Sequence, residues 1–250
     1  MKESGSRIIA IILVCTTTLL VGWLGLSRLL RDRKNFVEID RSIYPIVGID
    51  ISSHNGRPDF DSLATAVDFV YLKASEGREF RDSEFGRNYS EAKRTGLPVG
   101  AYHFFRFDRD GESQAANFID AIRGCDLCLP AAIDIEESGN PEGIPADSVT
   151  HRLQVMVNIL REEGIEPLLY TNKKGHARFV RQVLSELPAP ELWICSFTNP
   201  PVPHNNWLFW QHSHCSRIPG IKGPVDLNTF NGSRQDWEHR FADKGCSDQS

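Results

Sequence analysis

The 250-residue chain has no internal repeat and no long low-complexity stretch, which excludes architectures built by stacking like units. It also lacks an excess of positive charge. Lys and Arg total 28 against 33 Asp and Glu, for a net charge of -5, so a dominant nucleic-acid surface is excluded and no nucleic-acid partner is expected. Metal-binding patterns are absent too. The spacing Cys125-Asp-Leu-Cys128 has no second copy, and the loose group His204, His212, His214 and Cys215 matches no standard zinc arrangement. With Cys15 set aside in an apolar segment, five cysteines remain, and an odd number cannot all pair internally.

Long hydrophobic runs are confined to residues 8–26, IIAIILVCTTTLLVGWLGL, which carry no charge. That length just reaches across a bilayer. Lys2 and Arg7 precede it, and Arg28, Arg31, Arg33 and Lys34 follow. We read an uncleaved membrane anchor, with a cleaved signal peptide as the rival because Gly25-Leu26-Ser27 resembles a cleavage site. The heavier positive flank lies after the span, which alone would leave the body in the cytosol. The expected organisation is a tail at 1–7, the anchor at 8–26, a linker at 27–45, one folded body at 46–232, and a tail at 233–250. A body of this length suits one large α/β barrel better than a small module.

Short apolar runs in the body each end in polar or aromatic residues. Val47-Gly48-Ile49 leads into Asp50, Phe69–Leu72 into Lys73, and Val99-Gly100-Ala101 into Tyr102-His103-Phe104. Ala132-Ile133 leads into Asp134 and Glu136, and Leu168-Leu169 into Tyr170-Thr171. Leu192-Trp193-Ile194, Leu208–Gln211 and Val225–Asn228 complete eight candidate strands. Helical stretches at about 60–67, 83–95, 112–123, 146–163 and 174–187 separate the first six. The prolines 200, 201 and 203 make the next connection a loop. Strand–helix alternation implies a parallel sheet. The fold class is therefore α/β: an irregular TIM-type barrel of five βα units followed by three strands, preceded by the transmembrane helix. Such barrels carry their sites on the face where the strands' carboxyl ends open. Asp50, Lys73, His103, Asp134, Glu136, Tyr170, Gln211 and Asp226 are expected to converge there.

Asp134 and Glu136 stand out because alternate residues of a strand share a face. Two nearby carboxylates cannot both ionise freely, which splits their pKa values and yields the acid and base that glycosidic cleavage requires. Tyr102, Tyr170, Trp193 and Trp210 offer ring faces and donors to a sugar, or pack the barrel mouth. Lys73 either binds substrate or neutralises the acids, and Gln211 joins the same rim.

Asp50-Ile-Ser, Lys73-Ala-Ser-Glu-Gly77, Gly100-Ala-Tyr-His-Phe104, Asp134-Ile-Glu136, Tyr170-Thr171, Trp210-Gln211 and Val225-Asp-Leu-Asn228 follow one another in an order that resembles glycoside hydrolase family 25, the lysozyme-type N-acetylmuramidases. The likeness spans roughly residues 46–230 and departs at Ser75, where threonine is commoner. The resemblance implies cleavage of the β-1,4 bond between N-acetylmuramic acid and N-acetylglucosamine in peptidoglycan, with no metal or organic cofactor. It implies Glu136 as general acid, Asp134 as its carboxylate partner, and Asp50 and Asp226 as the rest of an acidic floor. Tyr102, Tyr170, Lys73, Trp210 and Gln211 are the expected substrate contacts. A substrate outside the cell places the body outside the cytoplasm, overriding the charge flanks. Two rival functions are a silent wall-binding module, excluded by reducing-end release from peptidoglycan, and a chitinase, separated by product analysis on chitin oligomers. Finally, Cys195 ends the sixth strand and Cys215 follows the seventh, so these two are expected to form a disulfide. The competing local pair, Cys125 with Cys128, would close a very short loop.

Overall fold

The computed structural model describes residues 16–18, 20–23, 25–26, 36–186, 190–201 and 207–241. Most of the expected anchor, and Cys15, His204 and Cys246, lie outside them. Among the described residues no helix is long and apolar enough to cross a membrane. The described side chains of that segment, Leu20, Val21, Trp23 and Leu26, are exposed.

The body is an eight-stranded barrel. Its strands are β1 (Val47–Ile51), β2 (Phe69–Glu76), β4 (Val99–Phe104), β5 (Ala132–Ile135), β6 (Leu168–Asn172), β7 (Leu192–Cys195), β8 (Trp207–Ser216) and β9 (Val225–Phe230). A two-residue strand, β3 (Phe80–Arg81), forms a hairpin on the end of β2; it is too short to register as an alternating run. The sheet order is β1-β9-β8-β7-β6-β5-β4-β2-β3, and β1 pairs with β2 to close the barrel. All barrel pairings are parallel except those of β9, which runs antiparallel to both β1 and β8. A reversed strand can follow its neighbour through a short hairpin and needs no crossover helix, which suits Pro219, Gly220, Gly223 and Pro224 between β8 and β9.

Helices cover the other strands: α1 (Phe60–Ala64), α2 (Phe85–Arg94), α3 (Gly111–Ala121) and α4 (Ala146–Glu162). A fifth, α5, joins Lys173–Gly175, a π-turn His176–Val180 and Arg181–Glu186. α4 buries Val149, Leu153, Met156, Val157 and Leu160, a stripe at helical spacing. Gly96 and Gly164 end α2 and α4 at φ +73° and +77°, a conformation that costs other residues more. The tail expected at 233–250 is partly a helix, α6 (Arg234–Phe241). Trp237 and Phe241, four residues apart, turn to one face and plug the barrel base.

Two cores result from the strand alternation. Outward residues such as Ile49, Val70, Leu72, Ile133 and Leu169 meet the helices. Inward residues Phe69, Tyr71, Trp193, Phe209 and Phe230, with Trp237 beneath, form an aromatic column. Phe69 and Trp237 stack at 5.3 Å, and Tyr71 and Trp193 approach to 4.5 Å. Glycine leaves room for these rings. A Cβ on Gly48 would sit 2.4 Å from Phe69, and one on Gly100 2.3 Å from Tyr71.

Before β1, the chain lies along β8. Val37 N donates to His212 O at 2.7 Å, and Phe36 bridges Ser213 in antiparallel sense. Tyr44 then packs on Trp207 and Trp210 with ring centroids at 6.2 and 5.8 Å. The segment thus fills the flank that lacks a covering helix.

Candidate active site

At the carboxyl ends of the parallel strands, the inward positions change from aromatic to acidic. A cleft of about 180 Å³ is lined there by Asp50 of β1, Asp134 of β5, Glu136 just beyond it, and Asp226 of β9. Asp50 and Asp226 are register partners on adjacent strands, so their side chains meet. Lys73, Tyr102, Tyr170 and Gln211, all expected at the rim, also line the cleft.

Asp50 is held by three donors. Gln211 Nε2 lies 2.9 Å and Asn228 Nδ2 2.7 Å from Asp50 Oδ1, and Asp226 hydrogen-bonds to it as well. Burial pushes Asp50 upward, opposed by those hydrogen bonds. Burial, then the charge of Asp50 and the bond to it, push Asp226 up to about 9. Asp226 is therefore the protonated member of the pair and Asp50 the anion. The donors are themselves fixed: Trp193 Nε1 donates to Asn228 Oδ1 at 2.8 Å, and Tyr170 Oη to Gln211 Oε1 at 2.8 Å.

Burial is also the largest influence on Glu136, followed by the charge of Asp50; with Lys73 opposing, its carboxyl rises to about 7. Asp134 is 9% exposed and is pushed well above the carboxylate range, by burial first and then by Glu136 and Asp50. Its Oδ1 is buried without a hydrogen-bond partner, which is costly unless a ligand completes it. The loop after Glu136 is pinned, since Asn140 Nδ2 donates to Glu136 O at 2.9 Å and to Phe105 O at 3.0 Å. Lys73 Nζ bonds Glu76 Oε2 at 2.7 Å and lies 5.0 Å from the Phe104 ring centre. It neutralises this rim while keeping a place on the cleft wall.

Two expected residues are not brought to the cleft. Trp210 precedes the inward Gln211, so it faces outward; its Nε1 donates to Ser196 O at 2.9 Å, and it packs on Tyr44. Trp193 is the tryptophan that lines the cleft instead. His103 follows the inward Tyr102 and is fully buried beneath α3, bonded to Ser75 at 2.8 Å and near Gln114 at 3.3 Å. Burial lowers its pKa to about 3, a neutral packing histidine. Sequence reasoning missed Ser52 and His54, which a short 3-10 turn sets on the rim, and Phe104. It also missed Asn228, although that residue ends a quoted motif.

The expected Cys195–Cys215 disulfide is absent: neither cysteine is in a disulfide, and nor is Cys125. Cys215 sits four residues past Gln211, the register partner of Cys195, so β8 carries it beyond reach. The local alternative fails too, since Cys128 is disulfide-bonded while Cys125 is free. Among the described residues no group of three or more His, Cys, Asp or Glu is arranged to hold a metal ion. A larger recess of about 680 Å³ at the base is lined by Asp126, Glu166 and Glu191. Each is ion-paired, with Lys93, Arg161 and Arg240 respectively, which leaves Glu163 as the one lining acid with no ion pair among the described residues.

Residues 49–221 match the family model described as glycosyl hydrolases family 25. The Autolytic lysozyme of Clostridium acetobutylicum is 31% identical over 185 residues, 73% of this chain and 55% of that protein. The uncharacterized protein YegX of Escherichia coli K12 is 30% identical over 212 residues, 81% of this chain and 76% of its own length. Among solved structures, a family 25 glycosyl hydrolase from Bacillus anthracis superposes with a TM-score of 0.71 at 31% identity. It matches over 82% of this chain and 96% of that one.

Proposed function

The chain belongs to glycosyl hydrolases family 25 and is a lysozyme-type muramidase acting on peptidoglycan, and we propose that it cleaves the β-1,4 bond after N-acetylmuramic acid with Glu136 as general acid and Asp134 as its carboxylate partner. The observation that carries this is the split among three of the four cleft acids: Asp226 protonated, Asp50 anionic, and Glu136 raised to about 7. An acid with that value is protonated at mildly acidic to neutral pH and can give its proton to the leaving oxygen. As the bond between the anomeric carbon and that oxygen breaks, positive charge develops on the sugar, and the Asp50 anion at the cleft floor stabilises it.

Asp134 suits the substrate-assisted route. Its unpartnered Oδ1 accepts the N–H of the 2-acetamido group and turns the amide carbonyl oxygen toward the anomeric carbon. That oxygen forms the new bond as the leaving oxygen departs. Glu136, now a carboxylate, takes a proton from water as the water opens the cyclic intermediate, restoring both partners. Tyr102 and Tyr170 remain phenols: burial pushes both well upward, followed by the nearby carboxylates for Tyr102 and by Cys195 and then the carboxylates for Tyr170. They and Gln211 are donors for sugar hydroxyls, while Lys73 opposes the acidic charge.

Glu136→Gln keeps the shape but has no proton to give. Reducing-end release from purified peptidoglycan should fall about 10²–10⁴-fold. A variant that works at the parental rate refutes the assignment, and mass spectrometry of the parental products identifies the bond. Because the polymer lies outside the cytoplasm, we place the barrel there, tethered by residues 8–26 or released after signal cleavage. Protease added to cells with a permeabilised outer layer and an intact inner membrane should digest it; protection refutes that location.

A further inference from the structure

The catalytic cleft continues past its carboxylates. Over the ends of β6, β7 and β8 it opens into a recess of about 630 Å³ that shares Glu136, Tyr170, Gln211 and Asp226 with it. The Phe197 and His214 rings meet there edge to face at 4.5 Å, an apolar wall. Lys173 lines the same recess. Neighbouring cations are already committed: Lys73 and Arg106 to Glu76, Lys174 and Arg178 to Glu137. Lys173 has no ion pair among the described residues. Asn172 sets its position, because the Asn172 side-chain oxygen accepts from Lys174 N at 3.0 Å and Gly175 N at 2.9 Å.

The opposite end of the cleft, at Ser52, His54 and Phe104, offers no comparable cation, since Lys73 is paired. An anionic group on the substrate is repelled by the Asp50 anion and finds its complement beside Lys173. Of the two sugars in the glycan, muramic acid alone carries such a group, on its lactyl ether. We infer that this recess binds the anionic lactyl-linked substituent of muramic acid, with a carboxylate beside Lys173 and the lactyl methyl against Phe197 and His214. The inference rests on the muramidase reading. The carboxylate has two sources, the lactyl group itself or the peptide stem attached to it.

Three soluble substrates test it: peptide-bearing glycan strands, strands stripped of peptide by an amidase so that the lactyl carboxylate is free, and stripped strands converted to the neutral lactyl methylamide. The parent should favour an anionic polymer over the neutral one by roughly two- to fivefold, the range of an exposed ion pair. The difference should appear in KM rather than kcat and shrink at high salt. Lys173→Gln should bring the ratio close to one, and Lys173→Arg should restore it. Preference for peptide-bearing strands assigns the contact to a stem carboxylate, and preference for stripped strands to the lactyl carboxylate; either supports the inference. Equal KM values for all three polymers in the parent, or a full preference retained in Lys173→Gln, overturn it while leaving the muramidase reading intact. Failure of the parent to cleave any of the three overturns both.

Discussion

Replacing Asp50 by Asn isolates the charge that tunes the acid. The amide oxygen can still accept from Gln211 and Asn228, whose nitrogens lie 2.9 and 2.7 Å away, so the hydrogen-bond geometry survives while the negative charge goes. Glu136 is raised from 4.5 to about 7, by burial first and by Asp50 second. That rise is worth on the order of 3 kcal/mol in favour of the protonated form. With Glu136 as the proposed general acid, catalysis needs that form, so kcat/KM of the parent should fall as pH rises through about 7. In Asp50→Asn burial remains and the charge does not, so the alkaline limb should move to between 4.5 and 7. Each unit of movement lowers the acid-competent fraction above the limb about tenfold. Lys73 acts on Glu136 in the opposite sense, so Lys73→Gln should move the limb upward. The assay is reducing-end release from soluble glycan strands between pH 4 and 9, with circular dichroism confirming that each variant is folded. The limb belongs to the coupled carboxylates together, but the two shifts must have opposite signs. Two unmoved limbs, or two that move the same way, refute the electrostatic account.

Asp226 is raised from 3.8 to about 9, so its contribution to stability is fully present below about 3.8 and is lost as pH rises through about 9. Asp226→Asn cannot ionise, and its melting temperature relative to the parent should climb steadily between pH 4 and 9; a difference independent of pH contradicts this. Trp210→Phe should cost about 1 kcal/mol through the lost bond to Ser196 O and leave KM unchanged, as denaturant melts and kinetics will report. Trp193→Phe removes the donor to Asn228, which holds Asp50, and should lower kcat; similar kinetics for the two variants would sink the distinction. Non-reducing peptide mapping should find no peptide linking Cys195 to Cys215, whereas one would restore the pairing that the structure rejects.

The sequence made the barrel legible where its pattern was regular. Five helices alternating with strands gave the parallel part, and the scarcity of residues between the later strands signalled the end of the covering helices. The direction of β9 carries no periodic signature and became visible only in the pairing. α6 was hidden because Trp237 and Phe241 are its only apolar residues among eight, and a helix with two anchors reads as a polar tail. In the site, the acids were readable because D-x-E places both on one face. The same alternation should have separated Trp210 from Gln211 and His103 from Tyr102, since adjacent residues of a strand cannot both enter the cleft. Asn228 was obscured for another reason: its role is to hold Asp50, and a neutral amide announces no chemistry until its partner is seen.

The strand-like contact of Phe36 and Val37 with His212 and Ser213 fixes where this enzyme can be held. β8 runs parallel to β7, so residues beyond Gln211 project past the catalytic rim, and the incoming chain meets the barrel at its mouth. It then descends the outer wall past Tyr44 before entering β1 at the base, where α6 also ends the described body. A leash at the amino end therefore pulls on the lip of the cleft, whereas cargo at the carboxyl end hangs from the opposite pole. Fusion partners, surface supports and spacers joined before Phe36 will crowd the substrate's path, and those joined after Phe241 will leave it open.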